Sequence, residues 1–175
     1  MSNPSSESVA LPIAHLVLRI CIVLNWVMCA AILALLVAAP NRAWIMSAFD
    51  LTPGPDADRL VMGLRATAML GLAVVPLNYL VLKRLLAMID TVRAGDPFVA
   101  VNAERLRTIA WCGLALQLLS IAIGAIGKAV STPAHPVDLD AGFSINGWLA
   151  VLLTFLLARV FAEGTRMRND LEGTI

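Results

Sequence analysis

Three side chains ahead of the last apolar segment are of types that bind metal ions. His135, Asp138 and Asp140 lie within six residues of one another. An imidazole and two carboxylates are ligands that zinc or calcium can take. Short proline-containing segments often carry these residue types without a metal. We therefore predict no bound metal and keep the three residues as weak candidates for a metal site.

The rest of the sequence supplies no set of residues suited to catalysis. His15 stands alone, and the sequence shows neither a Ser/His/Asp set nor a glycine loop that would bind phosphate. Cys21 and Cys29 are two helical turns apart, about 12 Å, which is too far for a disulfide bond. The sequence pI of 7.8 argues against direct binding to nucleic acid. We predict a protein that is not an enzyme and holds no cofactor.

Long segments of the chain are apolar enough to lie in a lipid bilayer. Hydrophobic residues make up 59% of the chain and charged residues 14%, whereas a soluble domain has about 25% charged residues. Four apolar segments, residues 12–39, 60–82, 106–130 and 145–162, satisfy the length of a spanning helix. We predict an all-α, polytopic membrane protein, with residues 1–175 as one four-helix transmembrane domain and residues 163–175 as a short cytoplasmic tail.

The distribution of lysine and arginine predicts the orientation of this bundle. The loop between the second and third segments and the tail hold most of the cations. Cytoplasmic loops carry an excess of Lys and Arg, so we predict that this loop and both termini are cytoplasmic. The first segment is predicted to be retained rather than cleaved, since no cation precedes it. The cations of the loop and tail are Lys83, Arg84, Arg93, Arg105, Arg107, Arg166 and Arg168.

Small residues at four-residue spacing predict where the helices approach one another. They are Gly63, Thr67 and Gly71 in the second segment, and Ser120 and Gly124 in the third. Helices in lipid associate through close packing of such residues. We favour packing within the chain, because a four-helix chain must first pack its own helices. A homodimer seam is the alternative, so a homo-oligomer stays open.

Polar residues inside the segments are few. Asn25 and Gln117 are expected to donate or accept hydrogen bonds across helices. Arg159 and Glu163, one turn apart, are expected to pair. No acidic residue lies near the middle of a segment, which argues against a proton-coupled transporter.

The middle loop has residues that favour helix ends. Asp96 and Pro97 predict the start of a short interfacial helix in the cytoplasmic loop, with Phe98 in the membrane interface. Asn102 is expected to cap the third segment, and Gly164 to end the fourth. What capping leaves unexplained is the segment after Gly164. We expect it either to fold back on the middle loop or to meet a partner.

The same loop and tail carry motifs that resemble a known family. The loop reads Gly95-Asp96-Pro97-Phe98, then Asn102 and Arg105-Leu106-Arg107, and the tail reads Phe161, Gly164, Met167 and Thr174-Ile175. Together they resemble a family of small bacterial four-span membrane proteins of unknown function, which usually has Leu where this chain has Met167. The resemblance implies a multi-pass protein of the bacterial cytoplasmic (inner) membrane. The family is often encoded beside a Cro/CI-type helix-turn-helix regulator.

Three functions follow from these expectations. The first is a membrane-embedded binding and signalling protein that tethers a small helix-turn-helix regulator on its cytoplasmic face. The second is an accessory structural subunit of a larger membrane complex, and the third is a small transporter. Membrane lipids are partners in every case. For the first function, the predicted partner-binding residues are Gly95, Pro97, Phe98, Asn102, Arg105, Arg107, Phe161, Gly164, Thr174 and Ile175.

Overall fold

The described part of the chain contains four long helices. A computed structural model describes residues 4–38, 47, 54–131 and 141–172. The helices are α1 (Pro4–Ala38), α2 (Pro55–Arg93), α3 (Ala100–Val130) and α4 (Ile145–Glu172). No strand occurs in these described ranges. The prediction of an all-α protein is thereby confirmed for this part of the chain.

All four helices are long and apolar enough to cross a bilayer. Their large apolar side chains face outward: Leu24 is 59% exposed and Leu152 is 64% exposed. The buried apolar residues are mostly small, among them Ala68, Ala110 and Ala158. A soluble protein does not expose so much contiguous apolar surface, whereas lipid tails solvate it. The structure has the make-up of a multi-pass membrane protein.

Each helix extends beyond the apolar segment that predicted it. α1 begins at Pro4, so Pro12 lies inside it, and α2 continues to Arg93. α4 continues to Glu172, which makes residues 163–172 of the predicted tail helical. Hydropathy identifies only the part of a helix that suits hydrocarbon. Polar residues with high helix propensity, such as Lys83 and Arg84, carry the helix further.

The chain divides into two compact units. Unit 1 comprises Met1–Asn25, Asn78–Leu114 and Ile145–Ile175, and unit 2 comprises Trp26–Leu77 and Ala115–Ser144. In unit 1, a Cβ on Gly113 of α3 would lie 3.2 Å from Val151 of α4. Trp111 packs edge-on against Phe155, with ring centroids 5.4 Å apart. Because later α3 residues meet earlier α4 residues, the two helices run antiparallel there.

In unit 2, the predicted small residues lie at close approaches within the chain. A Cβ on Gly63 would stand 2.5 Å from Cγ1 of Val130, so α2 and α3 meet closely there and a larger residue would require Val130 to shift. A Cβ on Gly71 would lie 3.4 Å from Cδ1 of Ile32 in α1. Thr67, between the two glycines, is half-buried. These contacts are of the intramolecular kind that the sequence favours.

The start of α4 is reached through a segment that packs on α3. A Cβ on Gly124 would lie 2.5 Å from the backbone oxygen of Ala141. The Ser120 hydroxyl lies 3.2 Å from the Gly142 carbonyl oxygen and accepts a 3.1 Å bond from the Gly142 N–H. Gln117 was expected to form a hydrogen bond across helices. Its Oε1 is instead buried and accepts no hydrogen bond from a described residue.

Candidate functional site

The end of α2 is closed by a glycine in the left-handed conformation. Gly95 has φ = 82°. Its N–H donates to the Val92 carbonyl at 3.0 Å, and the Asp96 N–H donates to the Thr91 carbonyl at 3.1 Å. These two bonds form a Schellman motif, which satisfies carbonyls that the helix end would leave open. The first motif residue of the middle loop therefore serves to stop α2.

The loop that follows is not helical, so the predicted short interfacial helix is not present. Residues 96–99 have no regular secondary structure, and α3 starts at Ala100. Only residues 97–99 separate Asp96 from the start of α3, which is less than one helical turn. The Asp96 carboxylate bonds to Arg168 of α4, and the Phe98 ring packs on Phe161.

Asn102 is the centre of a polar network. Its side chain is 1% exposed. Its Nδ2 donates to Thr91 Oγ1 at 2.7 Å and to the Pro97 carbonyl at 2.8 Å, while its Oδ1 accepts from Arg105 at 2.8 Å. The interpretation of Asn102 as a helix cap is wrong, since it lies inside α3 and bonds to α2 and the loop. A buried amide with all these partners fixes three segments at once.

Arg105 extends this network to the backbone of α2. Its Nη1 donates to the Ala87 carbonyl at 2.9 Å as well as to Asn102. Its Nε is buried and has no hydrogen bond to a described residue. A guanidinium near the carboxyl end of a helix also interacts favourably with the helix dipole. The positive charge of Arg105 is therefore committed to holding α3 against α2.

α4 joins the loop through an aromatic contact. The rings of Phe98 and Phe161 lie 5.3 Å apart at 31°. A Cβ on Gly164 would stand 3.7 Å from Cδ1 of Phe98. The expectation that Gly164 ends the fourth helix is wrong, because α4 continues past it to Glu172. The absence of a side chain there leaves the helix surface open to the Phe98 ring.

An ion pair completes the connection between α4 and the loop. Arg168 Nη1 donates to Asp96 Oδ1 at 2.5 Å, and both side chains are nearly half exposed. Such a pair contributes modestly to stability, but it shows that the helical segment after Gly164 contacts the middle loop through Arg168. We call the assembled residues the motif cluster: Thr91, Gly95, Asp96, Pro97, Phe98, Asn102, Arg105, Phe161, Gly164 and Arg168.

Other predicted site residues lie elsewhere. Arg107 is outside the motif cluster, exposed, and 3.9 Å from Glu104. Thr174 and Ile175 lie outside the described residues, as do the three metal candidates His135, Asp138 and Asp140. Within the described ranges, no group of three His, Cys, Asp or Glu residues could hold a metal ion. Nor do Arg159 and Glu163 form an ion pair with each other in the described structure, contrary to expectation.

Sequence reasoning missed Thr91 and a groove beside the motif cluster. A polar residue one turn before a terminal glycine is the signal that could have marked Thr91. The groove lies between α3 and α4 and has a volume of 270 Å³. We call it the α3–α4 groove, and its lining consists of Ala103, Glu104, Arg107, Phe155, Ala158, Arg159 and Ala162.

The motif cluster offers amide, guanidinium and carboxylate groups that bond to one another, and it presents no nucleophile beside a base. Its evident role is to hold α2, α3 and α4 together at one end of unit 1.

A search of curated proteins and a search of solved structures return no match. Residues 54–175 match a family described as a protein of unknown function, DUF2975. That range includes every residue of the motif cluster and more than half of the chain, which therefore belongs to the DUF2975 family.

Proposed function

We propose that this chain is a non-enzymatic membrane protein that binds a cytoplasmic protein at the end of unit 1 formed by the motif cluster. The observation that carries the proposal is the apolar surface beside the cluster. Phe98 is 47% exposed, Val101 47% and Met167 56%. All three stand on or next to segments rich in cations, and exposed apolar residues rimmed by polar ones mark interaction sites. Phe, Met and Arg, which are all present at this end of the protein, are residue types enriched in protein interfaces.

The proposed orientation follows from the same charges. Arg93, Arg105 and Arg107 flank the α2–α3 connection, and Arg166 and Arg168 lie in the last turns of α4. Under the positive-inside rule this end of the protein faces the cytoplasm. We propose a multi-pass protein of the bacterial inner membrane with both termini inside.

The proposed partner is a small helix-turn-helix regulator. The support for it is the resemblance of the loop and tail motifs to a family that is often encoded beside such a regulator. Within this proposal the motif cluster has a positioning role. Asn102 is too buried to touch a partner, so contact is expected from the exposed residues around it.

The test is a pull-down of the tagged full-length protein from its native membrane in mild detergent, with mass spectrometry of the retained proteins. Deleting the end of α4 would not discriminate, because it also removes Arg168 from the motif cluster. We would compare Met167→Asp with Val92→Asp, which alters another exposed apolar residue beside a cation-rich helix end, outside the three that form the proposed surface.

The proposal expects a helix-turn-helix protein in near-stoichiometric amount, lost with Met167→Asp and kept with Val92→Asp. Retention of the regulator by both variants would contradict the assigned surface. Absence of any such regulator from the wild-type preparation would contradict the tethering function itself.

A second function, an accessory subunit of a larger membrane complex, is favoured by one observation. In α1 the most apolar 18-residue window has no buried residue. A helix so little covered by its own chain is available to another membrane protein. Sedimentation of the detergent-solubilised native protein as a lone monomer would refute this alternative, and co-purification of a membrane complex would support it.

A further inference from the structure

The α3–α4 groove combines two cations with an apolar floor. Arg107 and Arg159 line it from opposite helices, and Phe155 forms part of its wall. Small residues, Ala103 and Ala158, leave its floor open. Neither arginine belongs to the motif cluster, so the groove is a separate feature of unit 1.

The two arginines lie at the same level along their helices. Arg107 is one turn from Trp111 on α3, and Arg159 is one turn from Phe155 on α4, about 6 Å along each axis. The Trp111 and Phe155 rings touch at 5.4 Å. Because the helices are antiparallel, both arginines stand on the same side of this aromatic contact, toward the motif cluster.

The surface of α4 beside the groove carries exposed apolar side chains that can contact an acyl chain. On α4, Leu149 is 52% exposed, Leu152 64% and Leu156 59%. These side chains continue past the aromatic contact as an apolar wall. Arg159 lies about one turn beyond Leu156, and Arg107 lies at the same level, where long side chains reach the headgroup region. A ligand that fits both parts has an anionic head and an apolar chain.

Glu104 is the one carboxylate among the described residues that line the groove. Glu104 lines it and lies 3.9 Å from Arg107, with both side chains well exposed. Such a loose, exposed pair is weak, so Arg107 remains available to a stronger anion. Glu163, one turn beyond Arg159 on α4, is exposed and does not line the groove.

We propose that the α3–α4 groove binds an anionic phospholipid, with the headgroup phosphate between Arg107 and Arg159 and an acyl chain along Phe155 and its apolar neighbours. Guanidinium groups bind phosphate through paired hydrogen bonds. Arg107 is also one of the predicted partner-binding residues, but the lipid test uses purified protein without the regulator, so either proposal can fail alone.

The test is native mass spectrometry of the full-length protein in micelles that contain phosphatidylglycerol and phosphatidylcholine in equal amounts. The wild type is expected to retain phosphatidylglycerol preferentially. Arg107→Gln and Arg159→Gln are each expected to lower that preference about fivefold, as for one cation at a membrane surface. Arg93→Gln is the matched control, since it removes an exposed arginine outside the groove.

Two further variants separate the site from diffuse charge and from misfolding. Ala162→Leu fills the groove and leaves its charge unchanged, so it is expected to lower retention as well. Glu104→Gln removes the competing carboxylate and is expected to raise retention about twofold, a gain that a misfolded protein would not show.

Equal retention of the two lipids, or an effect of Arg93→Gln as large as that of Arg107→Gln, would overturn the proposal. Glycerol phosphate at millimolar concentration distinguishes a headgroup from a free phosphate compound. Failure of glycerol phosphate to displace the lipid supports a phospholipid site, and full displacement would overturn it.

Discussion

Replacing Asn102 with alanine is the sharpest test of the motif cluster. The change removes two bonds to uncharged groups, Thr91 and the Pro97 carbonyl, and one bond from the Arg105 guanidinium. At about 1 kcal/mol for each neutral bond and about 2 for the charged one, the loss would reach about 4 kcal/mol. Arg105 keeps its bond to Ala87, so we expect destabilisation by about 2–4 kcal/mol.

The measurement is equilibrium unfolding of the purified protein in mixed micelles, followed by far-UV circular dichroism. Thr91→Val provides a second arm, since its hydroxyl accepts from Asn102 and donates to the Met88 carbonyl at 2.7 Å. In a double-mutant cycle, Asn102→Ala and Thr91→Val should couple by about 1 kcal/mol. Thr108→Val is the matched control, because the Thr108 hydroxyl is exposed and bonds only to Glu104 within its own helix.

A local readout separates loss of the network from general loosening. Hydrogen exchange at the Asp96 amide, which donates to Thr91, should accelerate in Asn102→Ala. The Gly142 amide, which donates to Ser120 in unit 2, should exchange as in the wild type. A stability change below about 0.5 kcal/mol for Asn102→Ala, the level of an ordinary surface substitution, would refute the central role assigned to this residue.

Three further substitutions test individual glycines by the same unfolding assay. Gly164→Ala should stabilise the protein by about 0.5–1 kcal/mol, because Gly164 is inside α4 and a Cβ would meet Phe98 at an ordinary distance; destabilisation would contradict that placement. Gly63→Ala should destabilise it by about 1–3 kcal/mol through the clash with Val130, and failure of Val130→Ala to relieve the effect would contradict the contact. Gly95→Ala should cost about 1 kcal/mol, because only φ is unfavourable there; Gly95→Asn should cost less, and equal losses would argue against a left-handed cap.

The helices can be predicted from the sequence because a helix that crosses a bilayer must have a certain length and an apolar composition. Residues 60–82 predict a span, and α2 (Pro55–Arg93) contains it. The last turns of α2 were missed since Lys83 and Arg84 interrupt hydropathy without interrupting a helix. Hydropathy shows which part of a segment suits the bilayer interior. It does not show where the helix ends, because backbone hydrogen bonds continue when a helix leaves the hydrocarbon region.

The roles of the motif residues were less accessible. Asn102 and Gly164 are residue types that favour helix ends, so a local reading assigned both to caps. Their partners, Thr91 and Phe98, come from other segments of the chain. A cap interpretation considers a few neighbouring residues, whereas a buried amide takes whichever donors and acceptors the tertiary structure brings to it. Gly95 was also missed as a cap, although its left-handed φ is what such a glycine supplies.

The motif residues and the proposed recognition residues are two different sets in one small region. Asn102 is consumed by bonds within the protein, whereas Phe98 and Met167 retain about half of their surface. Phe98 belongs to both sets, because one part of its ring packs on Phe161 while the rest is exposed. A variant of a buried motif residue would abolish partner binding by loosening the end of unit 1, even if that residue never touches the partner. Loss of binding with Asn102→Ala would therefore say little about recognition, whereas loss with Met167→Asp in a protein of unchanged stability would locate the contact.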